Sequence, residues 1–430
     1  MKTNKLTTWI MVAMVLGVVV GYICNINAPN AKAAKEIAGY FSIATDVFLR
    51  LIKMVIAPLV FATLVGGIAS MGDSSAVGRM GVKAMGWFIS ASVVSLLLGM
   101  LFVNVLQPGY ALNLPLPDIA ATTNLQTSTL NVKDFVTHVF PRSVFEAMSQ
   151  NEVLQILVFS LFFGFAIASF KGRAGQHLLA PIEDLGKTML RVTDYVMRFA
   201  PLGVFGAVAA AITVQGIGVL ATYGRFIGEF YVALLVLWVA LIAAGYLFLG
   251  ARVFTLLKLV KQPTILAFST ASSEAAYPAV MEQLKRFGVP DKITGFVLPL
   301  GYSFNLDGSM MYSAFASLFI AQAYNIQLSL TEQITMLLVL MITSKGIAGV
   351  PRASIVVVAA VLPMFKLPEA GVLLILGIDQ FLDMGRTATN VIGNSIATAV
   401  VAKSEGLLGV TRDADEDDML EPPEQNALAN

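Results

Sequence analysis

Residues 379–394 read DQFLDMGRTATNVIGN and lie inside an apolar segment that extends from Gly371 to Ala402. Polar residues recur in it at offsets of 0, 4, 7, 11 and 15, namely Asp379, Asp383, Arg386, Asn390 and Asn394. At about 100° per residue these positions form one narrow stripe on a helix. A charge at the centre of a bilayer costs about 2.5–3.5 kcal/mol on insertion scales. The stripe is therefore predicted to face a protein interior or a water-filled site.

The composition of the whole chain points to a membrane. Of 430 residues, 57% are hydrophobic and 13% are charged, whereas soluble domains carry about 25% charged residues. The net charge is +1, and no basic cluster of the kind that follows nucleic-acid phosphates occurs. The sequence thus predicts an all-α integral membrane protein with the lipid bilayer as a partner and no nucleic acid.

Ten apolar segments follow one another along the chain. Six are continuous: Thr7–Ile23, Ile37–Ser70, Ala84–Leu106, Val153–Phe170, Met189–Thr213 and Tyr223–Leu249. Four are interrupted by Ser, Gly, Pro, Asn or Asp: Phe254–Phe287, Ile293–Gln322, Ile334–Phe365 and Gly371–Ala402. Broken backbone at membrane depth is tolerated only where it is buried or lines a cavity. The last third of the chain is therefore the predicted functional core.

A weak internal repeat covers this last third. One copy runs from the small-residue stretch 269–273 to Asp307, and the other from the stretch 344–349 to Asp383. Paired interrupted segments in corresponding positions point to a transporter's binding site. Two re-entrant helical hairpins are expected, and the alternative is a pair of ordinary extramembrane loops.

Basic residues in the short loops indicate the orientation. Pairs of basic residues precede the first apolar segment and follow the second and the fourth: Lys2 and Lys5, Arg79 and Lys83, Lys171 and Arg173. Two spans separate successive pairs, so all three pairs lie on the same side of the membrane. This pattern places the N-terminus in the cytoplasm. The acidic segment 411–430 is expected to be a disordered cytoplasmic tail.

The stripe also indicates a ligand. An arginine presents a planar fork of donors that matches a carboxylate, and Asp383, three residues before Arg386, can accept hydrogen bonds from an ammonium. A small zwitterion with an additional carboxylate satisfies both groups. The alternative is a structural network satisfied within itself, for example Asp379 with Arg386.

A second polar group lies at residues 301–309, GYSFNLDGS, within an otherwise apolar helix. Asn, Asp and Gly together break a helix and expose carbonyl oxygens, which hard cations prefer as ligands. This predicts a cation site, and the alternative is a kink with buried polar caps.

At these residues the chain resembles the dicarboxylate/amino acid:cation symporter family, the glutamate transporters. The matching motifs are Phe48–Met54, Ala200–Phe205, Ser272–Glu274, Asn305–Ser309, Ala348–Pro351 and Asp383–Thr387 with Asn390. The resemblance implies eight transmembrane helices plus two re-entrant hairpins with inverted repeats, assembled as homotrimers. It also implies six N-terminal helices in residues 1–250, holding the scaffold and part of the transport domain, a transport core in 251–410, and the tail in 411–430. The transport domain would carry substrate across in an elevator-type movement.

The same resemblance implies roles for individual residues. Arg386 would bind the substrate's side-chain carboxylate, Asp383 its amino group, and Thr387 and Asn390 its polar head. The remaining implied substrate contacts are Ser272, Ser273, Ser309, Gly349 and Val350. The implied cation or proton positions are Asp307, Asn305, Gly301, Ser303, Asn390, Asn394, Ser344, Ser92 and Glu274, with a sodium ion expected at Asn305 and Asp307 if one is bound.

Several positions depart from the family pattern. Ala271 and Met384 stand where many members have an arginine, and Arg352 follows Pro351 where a small residue is usual. Arg352 is therefore predicted to replace the missing arginine, by pairing with Glu274 or by balancing Asp379 and Asp383; the alternative is an exposed arginine on the hairpin surface.

The coupling ion is the point that these departures affect most. Asn394 replaces an aspartate that binds sodium in sodium-coupled members, and Phe88 and Ala91 replace hydroxyl-bearing residues. The sequence therefore predicts a symporter of glutamate and aspartate, not an enzyme, in a bacterial inner membrane. It needs no cofactor beyond a coupling ion, with protons favoured over sodium. The alternatives are a C4-dicarboxylate symporter and a sodium-coupled glutamate/aspartate symporter.

Overall fold

The computed structural model describes residues 3–71, 74–110, 137, 139–170, 173–344, 353–376 and 378–409. Regular structure in these ranges is helical. The helices are α1 (Thr3–Asn27), α2 (Ala31–Met71), α3 (Ser74–Leu106), α4 (Val144–Ser149), α5 (Val153–Ser169), α6 (Arg173–Met197), α7 (Ala200–Gln215), α8 (Gly218–Leu249), α9 (Arg252–Thr270), α10 (Ser273–Phe287), α11 (Asp291–Phe304), α12 (Asp307–Ala323), α13 (Leu330–Thr343), α14 (Ala353–Val361), α15 (Val372–Leu376) and α16 (Asp379–Ser404). Two 3₁₀ turns, Leu362–Phe365 and Glu369–Gly371, join α14 to α15.

Four of the described helices are individually long and apolar enough to cross a bilayer: α1, α2, α3 and α8. Helices α6 and α7 form a fifth candidate, bent by 53° at the break between them. The break precedes Pro201, whose ring lacks an N–H and clashes with the preceding helical turn. This all-helical membrane architecture confirms the predicted fold class.

The difference between these spans and the predicted eight has a physical reason. The later segments are built from shorter helices, such as α11 with 14 residues and α13 with 14, and a bilayer crossing needs about 20 residues. Half-helices joined at a polar break can cross together although neither half is long enough.

The helices pack in two groups. Helices α1 and α2 pack on α7, and α2 also packs on α5 and α6. At Gly21 of α1, an added Cβ would lie 2.7 Å from the Ala209 carbonyl oxygen of α7, so this close approach requires glycine. In the second group α3 packs on α12, α8 and α9 pack on α16, and α9 packs on α10. Helices α10 and α11 of the second group rest on α2.

Two helix breaks bring polar backbone into the second group. Between α9 and α10, Ala271 adopts a left-handed φ of 49°, and the Ser272 hydroxyl accepts a hydrogen bond from the Ala275 amide at 3.3 Å. Between α11 and α12, Asn305 and Leu306 leave helical geometry. Both breaks occur where the sequence predicted them. The predicted tip of the second hairpin, between α13 and α14, lies outside the described residues.

Candidate functional site

A cavity of 520 Å³ opens among α2, the tip between α9 and α10, α11, α12 and α16. This volume is within the range of about 300–1,000 Å³ typical of small-molecule sites. Most predicted site residues line it: Ser272, Ser273, Glu274, Ser303, Ser309, Ser344, Asp383, Arg386, Thr387 and Asn390. The fold thus gathers side chains that are more than one hundred residues apart in the chain.

Arg386 and Asp383 form the charged centre of the cavity. The Nε of Arg386 donates to Oδ1 of Asp383 at 2.7 Å, and the Thr387 hydroxyl donates to the same oxygen at 2.9 Å. Arg386 is only 5% exposed, and within the described residues its Nη1 has no hydrogen-bond partner. A buried, unsatisfied cationic donor is costly. Arg386 also lines the cavity, so its positive charge can attract an anionic ligand there.

Tyr312 of α12 packs its ring against the Arg386 guanidinium. The sequence did not predict this contact. The guanidinium carbon lies 4.9 Å from the centre of the Tyr312 ring, within the range of a cation–π contact. The Tyr312 hydroxyl donates to Asp379 Oδ1 at 2.8 Å. Tyr312 and Asp379 are each 1% exposed. Asp379 therefore lies behind the cavity wall, where it accepts the Tyr312 hydrogen bond, while Arg386 forms an ion pair with Asp383.

Asn390 connects α16 to the break before α12. Its Oδ1 accepts hydrogen bonds from the amides of Gly308 at 2.8 Å and Ser309 at 3.4 Å, and its Nδ2 donates to the Ser309 hydroxyl at 3.2 Å. The first amides of a helix have no partner inside the helix, so Asn390 satisfies the start of α12. An added Cβ at Gly308 would lie 2.2 Å from the Arg386 carbonyl oxygen. The two backbones are therefore in contact at Arg386.

A second polar cluster lies deeper, at Asn305, Asp307 and Asn394, each at most 1% exposed. The Nδ2 of Asn305 donates to Asp307 Oδ2 and to Asn394 Oδ1, both at 3.2 Å. The Asn394 Oδ1 points at Gly301, where an added Cβ would lie only 2.3 Å away. Three oxygen-bearing side chains therefore meet, but a single carboxylate supplies the negative charge. An amide N–H already lies between two of the oxygens, so this cluster fits a sodium ion only in part.

The other predicted positions are placed as follows. Ser92 is buried on α3, as are Phe88 and Ala91. Gly349, Val350 and Arg352 lie outside the described residues. Further polar residues that line the cavity, and to which the sequence analysis gave no role, include Asp46, Lys53, Asn151, Glu152, Thr270, Ser313, Ser354 and Gln380.

The match to known proteins covers nearly the whole chain. The family model of the sodium:dicarboxylate symporter family matches residues 6–404. A proton/sodium-glutamate symport protein of Bacillus caldotenax is 39% identical over 412 residues, which cover 94% of this chain and 96% of the relative. The proton/glutamate-aspartate symporter of Escherichia coli (strain K12) is 38% identical over 416 residues, 94% of each chain. A C4-dicarboxylate transport protein of Rhodospirillum rubrum is 41% identical over 407 residues, 93% of this chain and 88% of the relative.

These matches are to carriers of small anionic molecules, and the cavity is of a size and charge that suits such molecules. They confirm the predicted resemblance, a symporter function and a multi-pass membrane protein, and they confirm that the protein is a transporter rather than an enzyme. The chain belongs to the sodium:dicarboxylate symporter family.

Proposed function

We propose that this symporter takes up the acidic amino acids glutamate and aspartate together with cations, which are protons. The observation that carries the proposal is the Arg386–Asp383 pair in the cavity wall, with Nη1 of Arg386 buried and without a partner in the described residues. A substrate side-chain carboxylate beside the Arg386 guanidinium, which lines the cavity, would gain a charge-assisted hydrogen bond. The substrate ammonium would then bind the Asp383 carboxylate beside it.

A C4-dicarboxylate is the alternative substrate, since relatives of similar identity are named as C4-dicarboxylate transport proteins. Succinate has no amine for Asp383 to hold, so binding it would place an additional carboxylate near an existing one. Like charges at that distance are unfavourable. The carboxylate of Asp383 at the cavity wall therefore favours amino acids over dicarboxylates.

Protons are proposed as the coupling ion because of the charge at the deeper cluster. A sodium site benefits from negative charge that offsets the dehydration of the ion, and Asn394 contributes none. Phe88 and Ala91 contribute no hydroxyl oxygen either. Asp307, which is buried in this cluster, and Glu274, which lines the cavity, are the proposed proton carriers. Sodium coupling through Asn305 and Asp307 is the alternative.

The remaining parts of the proposal concern assembly and movement. The group of α1, α2, α5, α6 and α7 would form a fixed scaffold in a homotrimer, and the group of α3 with α8–α16 would move as the transport core. The packing of the helices into these two groups supports this division. The protein would lie in a bacterial inner membrane with both termini in the cytoplasm, in keeping with the basic loop residues and with the bacterial sources of its relatives.

Competition binding to the purified protein tests the substrate assignment. Radiolabelled aspartate is bound in sodium-free buffer, and unlabelled glutamate, succinate, malate and alanine are added as competitors. The proposal requires glutamate to displace aspartate at much lower concentrations than succinate or alanine do. Displacement by succinate at concentrations equal to or below those of glutamate would make the C4-dicarboxylate assignment the correct one.

A further inference from the structure

An ion pair joins the two helix groups at the mouth of the cavity. The Lys53 Nζ of α2 lies 3.3 Å from the Glu274 Oε2 of α10. Asp46 and Leu49, seven and four residues before Lys53, line the same cavity, so this face of α2 is the cavity wall. Lys53 lies in the motif Phe48–Met54, but the sequence did not predict its pairing with Glu274.

Glu274 belongs to the core rather than to α2. It lies in the first turn of α10, two residues after the N-cap Ser272. The Tyr302 hydroxyl of α11 donates to the Ser273 carbonyl oxygen at 3.1 Å, and the Tyr302 ring packs edge-on against Tyr277 of α10, with ring centres 4.9 Å apart. These contacts fix the hairpin tip to α11. Any movement of the core along α2 therefore carries Glu274 with it.

The distance over which the two charges pair is short compared with such a movement of the core. A shift of one helical turn along α2 is about 5.4 Å, which would take the ammonium and the carboxylate out of ion-pair distance. The side chains are 46% and 36% exposed, so water can solvate both charges once they separate. Two further acids, Asp46 and Glu152, line the cavity with this pair. A contact of this kind is formed in one conformation and lost in others at small cost.

We propose that the Lys53–Glu274 ion pair holds the first hairpin against α2 in this conformation and thereby sets the resting balance between the conformations of the carrier. The proposal rests on the proposed function, because it requires a core that moves against α2. Lys53 is thus a positioning residue for the hairpin. Its contribution is modest, since partly exposed ion pairs shift an equilibrium by about two- to five-fold.

Thiol labelling measures this balance without substrate. Cys24 is the only cysteine of the chain, so a Cys24→Ala background allows a single reporter. Gln380→Cys on α16 supplies it, because Gln380 lines the cavity. Labelling by a membrane-impermeant maleimide is timed from each side of oriented vesicles. Lys53→Gln, Glu274→Gln and the double variant are compared with Lys53→Arg, which keeps the charge, and with Arg50→Gln, which removes an exposed charge from the same helix.

In both single glutamine variants, labelling from the side to which the cavity opens in this conformation should be two- to five-fold slower than in the parent. The double variant should lose no more than either single one, and Lys53→Arg and Arg50→Gln should match the parent. Additive losses in the double variant, or unchanged rates in both single variants, would overturn the ion-pair inference. If saturating aspartate changes labelling in the parent while the glutamine variants do not differ from it, the ion-pair inference alone fails. If aspartate leaves labelling from both sides unchanged, the moving core of the proposed function fails.

Discussion

Replacing Arg386 with alanine tests the binding site at its centre. Arg386 is 5% exposed, its Nε donates to Asp383 at 2.7 Å, and its guanidinium rests on the Tyr312 ring. Truncating one partner of a buried charge pair costs about 2–5 kcal/mol, because the opposite charge stays desolvated. Aspartate affinity should therefore fall by about 30- to 5,000-fold.

The assay is equilibrium binding of radiolabelled aspartate to purified protein, with size-exclusion chromatography to show that the assembly is intact. Arg198→Ala is the matched control, since Arg198 also lies over a tyrosine ring, at 5.6 Å from the centre of Tyr195, but is exposed. The control should bind aspartate like the parent. Near-normal affinity in Arg386→Ala would show that Arg386 does not hold the substrate carboxylate.

Three further substitutions have defined outcomes. Asp383→Ser should weaken binding of aspartate and glutamate far more than binding of succinate or malate; equal losses for both classes in competition assays would make Asp383 structural. Asn394→Asp adds a second carboxylate to the cluster of Asn305 and Asp307 and should make aspartate binding rise with sodium concentration; binding that stays independent of sodium would contradict the charge argument. Gly308→Ala should destabilise the protein by about 1–3 kcal/mol and weaken aspartate binding, because its Cβ would meet the backbone of Arg386. The control Gly86→Ala, where an added Cβ meets nothing within 4 Å, should melt like the parent.

The sequence alone predicted those parts of the site in which the residues follow a regular spacing or a local pattern. The polar stripe follows helical periodicity, so Asp383, Arg386 and Asn390 were expected on one face, and the cavity wall contains all three. The breaks at Ser272 and Asn305 were expected because polar and small residues interrupt apolar segments there. Both kinds of signal are local, and local signals can be read without knowing which helices are neighbours.

Contacts between distant segments could not be read in this way. Tyr312 lies in an apolar helix, and only the packing of α12 on α16 brings its ring to Arg386 and its hydroxyl to Asp379. Lys53 is one of several basic residues in the chain, and only the packing of α10 on α2 brings its ammonium to Glu274. The stripe itself also divides in space: Asp383 and Arg386 line the cavity, while Asn394 joins the deeper cluster with Asn305.

The most direct test of the account is aspartate uptake into proteoliposomes that contain only the purified protein. An inward proton gradient is imposed in sodium-free buffer, and a parallel preparation receives an inward sodium gradient at equal pH on both sides. The account predicts concentrative aspartate uptake with the proton gradient alone, abolished by a protonophore. Uptake that occurs only when sodium is supplied would contradict proton coupling and make the cluster of Asn305 and Asp307 a working sodium site.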